Sequence, residues 1–551
     1  MLNLLSNNLT TFISYYTILI TLVLTPLSNK DAMIVPKVVL LIILFFLVFP
    51  IFLSNIRRSL NTQKKFKVFG PFFLFTILLV SILISSSSPI EQQLFGRGGR
   101  GLGLFTILTT CLILVIVSTY GESNSQAITK GLVVSAFVSS SYALLQSYGI
   151  DFYEWETRTN GIVGTLGNPN FQASFAAMAT LPTIVFFWKK KDLKNVLILI
   201  FILIFYVNVL LRNNSTQGYI GLIISLIFFF LTYIWYKNKL VFWIACTFSS
   251  FIGFLAIIGM IGKGPLSDFL YKISIQSRGD FWRSAFETAQ NNPLLGIGID
   301  SFGDYFLKYR DEITISHPWA EFTDNAHNYY LEFAATGGFL FAMMFIVLQI
   351  FTAYCVFSFL KSQKSFNSRF SVMASAYFVY LAQSVISPGN IAIMLWGSII
   401  SGWIIFKRVN LNTNIANSKE KYILKPLTKI SVALSLIVGL TLSYPYFRAD
   451  QLQLTAMKTG NGDLAIKSAK MFPESTTRYA TIIRGLYDSN LYDSALELSR
   501  HAVEFNPQSA NLWAFILINP NAPIVEREKA RLKIVSLDPL NLQARNFKLQ
   551  S

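Results

Sequence analysis

The chain has 551 residues, of which 53% are hydrophobic and only 13% are charged, whereas roughly a quarter of the residues in a soluble protein carry charge. Its net charge of +18 could suit nucleic acid, but the lysines and arginines lie in short segments between apolar stretches, where they orient a membrane protein. Cys111, Cys246 and Cys355 all lie in hydrophobic segments without metal-ligand spacing, which favours packing roles. The composition predicts a polytopic membrane protein and argues against a nucleic-acid partner, a disulfide framework and a zinc site.

The hydrophobic residues are grouped in long runs. A transmembrane helix needs about 20 mostly apolar residues. Thirteen segments meet this requirement, near residues 8–27, 33–54, 70–88, 101–121, 127–147, 170–187, 195–211, 217–235, 240–261, 330–357, 369–387, 391–406 and 427–446. The first has neither a basic n-region nor a small-residue cleavage site, so we interpret it as a retained helix rather than a signal peptide. The sequence therefore predicts an all-α membrane helix bundle with about thirteen spans and with membrane lipids around it.

Positive charge is concentrated in every second loop between these segments. The basic loops contain lysines and arginines at 57–67, 130, 189–194, 237–239, 361–369 and 407–429. Because loops rich in lysine and arginine stay in the cytoplasm, the alternation predicts a cytoplasmic N-terminus and an extracytoplasmic C-terminal region in a multi-pass protein of the cytoplasmic (inner) membrane.

The opposite loops each lead into a helix from the other side. They comprise residues 95–100, 164–170 and 212–218 and a long polar insert over 262–329. A helix N-terminus offers unpaired N–H groups and partial positive charge to an anion. Glycines and prolines also suit plain turns, but four such loops with arginines favour a site. Its candidate residues in the short loops are Arg97, Arg100, Asn168, Asn170, Arg212 and Gln217.

Within the insert, Arg278 and Arg283 flank Trp282 on an amphipathic segment. An interfacial helix with tryptophan at the headgroups and snorkelling arginines would have this pattern. A guanidinium clamp on a diphosphate would have it too, because the planar fork of arginine suits phosphate oxygens. The two interpretations are compatible, and both remain open.

His327 is one of three histidines and stands where the insert re-enters the membrane. A lone histidine is more often structural than catalytic; we interpret His501 as a surface or packing residue, and His317 fits either role. His327 stands beside Asp324, Asn325 and Asn328, where a neutral imidazole could take a proton from a hydroxyl. The sequence therefore predicts His327 as a catalytic residue.

Several absences also discriminate between functions. The cores of the thirteen segments contain no Asp or Glu, whereas ion-coupled transporters generally place carboxylates there. There is no Walker A loop for ATP, and no cluster of histidine, cysteine or paired carboxylates marks a metal site. The expectation is a basic, outward-facing site without metal or cofactor.

The character of the chain changes at residue 447. Residues 447–551 are polar and helical in pattern, and Tyr479–Leu486 with Asn490–Ala495 approximates one tetratricopeptide unit, although Ser499 replaces a bulky aromatic residue. Such repeats usually bind protein partners or cap a domain. We therefore predict a membrane domain over 1–446 and a C-terminal helical repeat domain that is available to a protein partner.

An ordered set of motifs resembles the signature of the O-antigen ligase superfamily, which includes lipid A–core O-antigen ligases, Wzy-type polymerases and O-linked oligosaccharyltransferases. The motifs are Arg278-Gly279-Asp280-Phe281-Trp282, Pro293-Leu294-Leu295-Gly296-Ile297-Gly298 with Phe302, His327-Asn328-Tyr329-Tyr330-Leu331 and Gly337-Gly338. Gly164–Asn170 and Phe95–Gly103 are similar to further motifs, and the resemblance spans most of residues 90–410.

The resemblance implies a GT-C-like glycosyltransferase that works without a metal. It would transfer a glycan from an undecaprenyl-diphosphate-linked donor to a hydroxyl of a core lipid, a protein or a growing glycan outside the cytoplasmic membrane. By position, Arg278 would bind the donor diphosphate and His327 would activate or orient the acceptor. The other expected residues are Arg97, Arg100, Arg212, Gln217 and Arg283 for the diphosphate and Asn168, Asn170, Asn325 and Asn328 around the acceptor.

The sequence departs from the family at Ser215-Thr216-Gln217-Gly218, where many members have Ser-Arg-Gly. Gln217 supplies no charge, so either Arg212 or an arginine of 95–100 replaces the missing one, or the diphosphate binds more weakly. Two other functions fit a basic helical bundle: a flippase or exporter of lipid-linked glycans, and a membrane scaffold that recruits partners through its C-terminal repeats. No residue pattern distinguishes a lipid, protein or glycan acceptor.

Overall fold

The computed structural model describes residues 9–59, 63–121, 126–153, 155, 162–188, 192–317, 322–411 and 426–547. Within these ranges the chain folds into helices joined by turns and loops, without a strand. The predicted all-α class is therefore confirmed. Of the basic loops, residues 60–62, 189–191 and 412–425 lie outside the described residues, as do residues 318–321 of the polar insert.

Most helices correspond to the apolar runs of the sequence. In the first half of the chain they are α1 (Leu9–Leu22), α2 (Val35–Ser59), α3 (Gln63–Ser85), α4 (Ile90–Phe95), α5 (Leu104–Tyr120), α6 (Gln126–Ser147), α7 (Pro169–Phe187), α8 (Leu193–Asn213), α9 (Thr216–Lys237), α10 (Lys239–Met260), α11 (Ser267–Leu270) and α12 (Ile273–Asn291). In the second half they are α13 (Phe302–Tyr309), α14 (Glu312–Ile315), α15 (Tyr329–Ser362), α16 (Ser368–Ile386), α17 (Ile391–Val409), α18 (Pro426–Thr459), α19 (Gly462–Ala469), α20 (Thr476–Asp488), α21 (Tyr492–Phe505), α22 (Ala510–Ile518), α23 (Ile524–Leu537) and α24 (Leu542–Asn546).

The lengths of these helices match the thickness of a membrane. In the described part of the chain, nine helices are long and apolar enough to cross one: α2, α6, α7, α8, α9, α10, α15, α17 and α18. The apolar helix α1, the apolar part of α3 and α5 are shorter, and α16 has 19 residues. Each of the thirteen predicted segments thus coincides with a helix. The chain is a multi-pass membrane protein, and the number of thirteen crossings stays a prediction.

The centre of the bundle is α17, which packs against α5, α15 and α16. Its side chains are buried almost throughout, and Trp396 and Trp403 are among the largest fully buried residues. Helix α9 packs between α7 and α16, and α2 packs along α18. In contrast, α10 contacts only its neighbours α9 and α11 appreciably, and Gly259 is its one buried residue. Because its surface is nearly all apolar, α10 fits a lipid-facing position.

Helices α19–α24 follow the last long helix and form a hydrophobic cluster of their own, with Tyr479, Leu498 and Trp513 in its centre. Within this cluster α20, α21, α22 and α23 pack one against the next. Helix α18 passes through residue 447 without a break, so a continuous helix joins the two regions. The boundary at residue 446 and the tetratricopeptide assignment stay predictions.

At one end of the bundle the N-termini of four helices are tied together. Asn390, the N-cap of α17, donates through its backbone N–H to the Tyr329 hydroxyl of α15 at 3.2 Å and through Nδ2 to the Leu166 carbonyl ahead of α7 at 3.2 Å. Gln217 in the first turn of α9 accepts from the Ser387 hydroxyl at 2.6 Å. These bonds bring the loop ahead of α7 and the first turns of α9, α15 and α17 to one face of the bundle, which we call the site face.

Candidate active site

The site is built around a break in α15. At Gly338 the backbone turns out of the helix, with φ 80° and ψ 170°. Residues 293–298 fill the gap: Pro293 accepts from the Phe339 N–H at 2.9 Å, and Ile297 and Gly298 donate to Ala335 and Thr336 at 3.1 and 3.0 Å. A Cβ on Gly296 or Gly338 would overlap the facing backbone. The two glycine motifs are therefore the two halves of one backbone junction, which replaces the lost helical bonds.

The turn ahead of α15 carries His327 with φ +51°, a left-handed conformation that costs a non-glycine residue free energy. Neighbouring side chains hold this turn. The Asn328 Oδ1 caps α15 by accepting from the backbone N–H groups of Tyr330 and Leu331, and the Asn325 Oδ1 accepts from the His327 N–H at 2.9 Å. The Glu332 Oε2 accepts from the Ala326 N–H at 2.6 Å. The backbone around the imidazole is thus fixed by hydrogen bonds.

Helix α12 faces this turn. The Phe281 ring stacks on the His327 imidazole, with 5.4 Å between ring centroids. Arg278, one turn earlier, is buried, and among the described residues it has no hydrogen-bond or ion-pair partner; its Nε is fully buried without an acceptor. Burial lowers the pKa of Arg278 to about 10, so its guanidinium remains charged at neutral pH. The Trp282 Nε1 is a second buried donor without a partner among the described residues.

The imidazole of His327 is electrostatically strained. Burial, together with the positive charges of Arg278 and Arg100, lowers the pKa of His327 to about 3, although the nearby Asp324 acts to raise it. The ordinary value for histidine is about 6.5. His327 is therefore neutral over the physiological pH range, as a group that accepts a proton or a hydrogen bond must be.

The loop between α4 and α5 brings two buried arginines to the same face. The Arg97 Nη1 is 2.7 Å from the Asp304 Oδ1, and the Arg97 backbone N–H donates to the Asp300 Oδ2 at 2.8 Å. The Arg100 Nε lies 3.3 Å from the Asp300 Oδ1. Burial raises the pKa of Asp300, and Arg100 opposes this effect without cancelling it. Both arginines are therefore held by carboxylates that lie some 200 residues away along the chain.

Arg100 also connects this loop with the turn of His327. Its Nη1 lies 3.5 Å from the Asp324 Oδ1. Burial acts to raise the pKa of Asp324, but Arg100 and Arg97 outweigh this effect and bring the pKa below its ordinary value. Asp324 is therefore an anion that receives a bond from the Asn325 side chain and lies between the arginine loop and the imidazole.

Arg283 lies on a different face of α12. Its Nη2 is 2.6 Å from the Asp280 Oδ1, and its Nε is 2.6 Å from the Asp311 Oδ2. Asp280 is buried and also lies 2.9 Å from the His317 Nδ1. Arg283 is thus paired with two carboxylates in a network that joins α14 to α12, and its diphosphate contact stays a prediction.

The remaining predicted residues lie at the N-termini of α7 and α9 and, for Arg212, in the last turn of α8. The Asn168 Oδ1 caps α7 by accepting from the Asn170 N–H at 2.8 Å, and the Asn170 Oδ1 accepts from the Ser215 hydroxyl at 2.7 Å. Gln217 is buried, and its Nε2 donor has no partner among the described residues. Arg212 is exposed and lies over the Tyr148 ring at 4.3 Å. The structure therefore gives both asparagines a capping or bridging role and orients Arg212 towards an aromatic side chain.

A further contact joins the first turn of α9 to α12. Lys272 precedes α12, and its Nζ lies 3.4 Å from the Thr216 Oγ1. Thr216 is next to Gln217, so the two helices with unpartnered donors begin side by side. A lysine thereby supplies positive charge next to Gln217, which the sequence pattern did not suggest.

Sequence reasoning missed three acidic residues of the site. Asp300 and Asp304 hold the arginine loop, and Glu332 holds the turn of His327. Each is buried, and a buried carboxylate needs hydrogen bonds or a cation. The sequence offered one signal: two arginines lie in the loop at 95–100, and acidic residues lie in the insert. It does not show which arginine forms an ion pair with which carboxylate.

Part of the chain is similar to a known protein family. Residues 199–346 match a protein-family model described as O-Antigen ligase. The matched range runs from α8 into α15 and contains both Arg278 and His327, while Arg97 and Arg100 lie ahead of it. No curated protein matches the chain.

Proposed function

We propose that this chain, which belongs to the O-antigen ligase superfamily, transfers a glycan from an undecaprenyl-diphosphate-linked donor to an acceptor hydroxyl at the outer face of the cytoplasmic membrane. Family membership supports a glycosyltransferase-type enzyme in surface polysaccharide assembly with a lipid-linked oligosaccharide and an acceptor as partners. The polyisoprenyl diphosphate, the acceptor class and the membrane side are the proposed refinements. The alternation of basic loops supports the side.

One observation carries the proposal: the buried guanidinium of Arg278 beside a neutral His327. A buried cation without a counter-charge is expensive, and among the described residues Arg278 has no such partner. The buried donors of Trp282 and Gln217 are unpartnered in the same described part of the chain. An anion rich in oxygen acceptors fits this set, because it provides charge for arginine and lone pairs for the amide and indole donors.

The reaction then follows from the two side chains. The acceptor oxygen attacks the anomeric carbon, the bond between that carbon and the diphosphate oxygen breaks, and undecaprenyl diphosphate leaves with the bonding electrons. Arg278 stabilises the charge that develops on this leaving group, the kind of electrostatic contribution that is often the largest in catalysis. The His327 imidazole accepts the hydroxyl proton of the acceptor. A single displacement of this kind inverts the configuration at the anomeric carbon.

Donor binding also affects the base. Without donor, burial and the positive charge of Arg278 lower the pKa of His327 to about 3, a value at which imidazole is a poor general base. A diphosphate on Arg278 offsets that positive charge and thereby raises the pKa of His327. The histidine therefore becomes a better base when the donor is bound. The acceptor hydroxyl is then deprotonated mainly when a glycan is in place to be transferred.

The test uses purified protein in nanodiscs with an undecaprenyl-diphosphate oligosaccharide and no added acceptor. Native protein, His327→Ala and the control His501→Ala are compared at equal abundance, with products resolved by size. A ladder of longer lipid-linked glycans that requires His327 and tolerates His501→Ala identifies a polymerase.

Consumption of donor only after a lipid or protein acceptor is supplied identifies a ligase or a protein glycosyltransferase. Transfer that persists in His327→Ala, or no transfer by native protein with any competent donor and acceptor, would refute the proposed function.

A further inference from the structure

We propose that the C-terminal helical region, α19–α24, is a working part of the transfer site, and that Asn506 positions Arg97 by way of Asp304. This inference rests on the proposed function and deepens it. It assigns to this region a role within the site, whereas tetratricopeptide-like sequence predicts only partner binding or capping.

The connection is a set of buried polar groups. Asn506 follows α21, and its Nδ2 donates to the Asp304 Oδ2 at 3.1 Å and to the Thr476 Oγ1 at 2.9 Å. The Thr476 hydroxyl donates to the Gln92 Oε1 at 3.0 Å, and the Gln92 Nε2 donates to the Asp304 Oδ2 at 2.8 Å. All four side chains are at least nine-tenths buried. The bonds form a closed ring between α4, α13 and the C-terminal region.

The other oxygen of Asp304 holds the arginine. The Asp304 Oδ1 is 2.7 Å from the Arg97 Nη1, so the carboxylate has one oxygen for the two amides and one for the guanidinium. Because a carboxylate is planar, donors that fix one oxygen also fix the direction of the other. Asn506 therefore contributes to the placement of the Arg97 guanidinium without touching it.

Further contacts press the same loop against the C-terminal region. The Phe95 ring stacks on Tyr446 of α18 with 5.2 Å between centroids and meets Phe472 edge-on at 5.8 Å. A Cβ added to Gly98 would lie 3.1 Å from the Thr477 Cβ. Helix α20 therefore packs tightly against the arginine loop at Gly98, between Arg97 and Arg100.

A second clamp lies at the far end of α13. The Arg310 Nη2 is within 3.0 Å of both carboxylate oxygens of Asp538, the residue that follows α23. Asp538 is almost fully buried. Both ends of α13 are therefore bonded to the C-terminal region, whereas a region that only recruits soluble partners needs no buried contact with the arginine loop.

The test compares native protein with Asn506→Ala in the nanodisc transfer assay, and the control is Arg500→Ala, an exposed arginine of the same helix that pairs with Glu526. We expect the KM for the lipid-linked donor to rise roughly ten- to hundredfold in Asn506→Ala, because the bond removed is to a buried charge, with a smaller change in kcat. The change should largely disappear in an Arg97→Ala background, because both substitutions then remove the same interaction.

A pair of exchanges separates positioning from simple docking. Asp304→Asn with Asn506→Asp restores an amide–carboxylate pair between the two positions, but it leaves Arg97 facing an amide. If Asn506 positions Arg97, the double exchange recovers the thermal stability lost in Asn506→Asp and does not recover the KM. Recovery of both would overturn the inference.

The docked arrangement itself is tested with Gly98→Cys and Thr477→Cys, whose Cβ atoms would lie close to disulfide range. We expect a disulfide to form and the oxidised protein to keep its transfer activity. Loss of activity that reduction restores would contradict a permanently docked C-terminal region. An unchanged KM in Asn506→Ala, with transfer by native protein intact, would refute the inference alone, whereas no transfer by native protein would point to a failure of the proposed function.

Discussion

Replacing Arg278 with methionine should abolish transfer and yet make the protein more stable. Arg278 is buried and has no partner for its charge among the described residues. Burial lowers its pKa from 12.5 to about 10, and each pKa unit corresponds to about 1.4 kcal/mol. Keeping this buried guanidinium charged at neutral pH therefore destabilises the folded state by roughly 3 kcal/mol. Methionine retains an apolar stem of similar length but fills the space imperfectly, so we expect a net gain of about 1–3 kcal/mol.

The assay is thermal unfolding of the protein in nanodiscs, followed by intrinsic fluorescence, with transfer measured on the same samples. The matched control is Arg283→Met on the same helix, because Arg283 is paired with Asp280 and Asp311. Removal of Arg283 leaves the buried Asp280 without one of its partners and should lower the Tm. Arg278→Met should raise the Tm by a few degrees. A lipid-linked donor should stabilise native protein and leave Arg278→Met unaffected, because the variant has lost the charge that the diphosphate binds.

If Arg278→Met lowered the Tm as much as Arg283→Met does, Arg278 would have a counter-charge of its own in the native protein and would serve the fold, contrary to this prediction. A stabilised variant that kept full transfer activity would be equally damaging, because it would separate the unpaired charge from donor binding.

Three further outcomes are expected. The pKa of His327 is about 3 in the folded protein, whereas that of unfolded histidine is about 6.5. The stability that the neutral imidazole contributes is therefore fully present above pH 6.5 and is lost as the pH falls towards 3. Between pH 6.5 and 4, the Tm of native protein should drop more steeply than that of His327→Gln. Gln217→Glu keeps the acceptor oxygen for Ser387 but replaces the unpartnered donor with negative charge, so the KM for the diphosphate donor should rise roughly tenfold or more. Gln217→Met should have a smaller effect. Transfer should be unchanged after exhaustive dialysis against EDTA, and a loss that Mg²⁺ or Mn²⁺ restores would contradict metal-independent chemistry.

The fold could be predicted largely because membrane helices are recognisable as long apolar runs in the sequence. An apolar run of about 20 residues has few alternatives to a helix in lipid, and each predicted segment coincides with one. Local capping signals were equally informative: Asn168 before Pro169 predicts a helix start, and the structure has α7 beginning there. Such features depend on residues next to each other in the chain.

The pairing of charges depends on residues far apart and could not be predicted. Arg278 and Arg283 stand five positions apart in one amphipathic segment, and the amphipathic pattern alone does not distinguish them. The structure separates them: Arg283 is bound by two carboxylates, and Arg278 by none among the described residues. The partners of Arg97 and Arg100 were missed for the same reason, since Asp300 and Asp304 come close only when α13 packs beside the α4–α5 loop.

The junction between residues 293–298 and the break in α15 has a consequence for how such an enzyme can diversify. Three backbone hydrogen bonds, between Phe339 and Pro293, Ile297 and Ala335, and Gly298 and Thr336, join the segment that follows the helix of Arg278 to the helix that follows His327. Backbone bonds do not depend on side-chain identity, so the spacing between guanidinium and imidazole survives most substitutions around it. The loop at residues 164–170, which leads into α7, takes no part in these three bonds. Substitutions in that loop can therefore alter the surroundings of the site while the guanidinium and the imidazole keep their spacing.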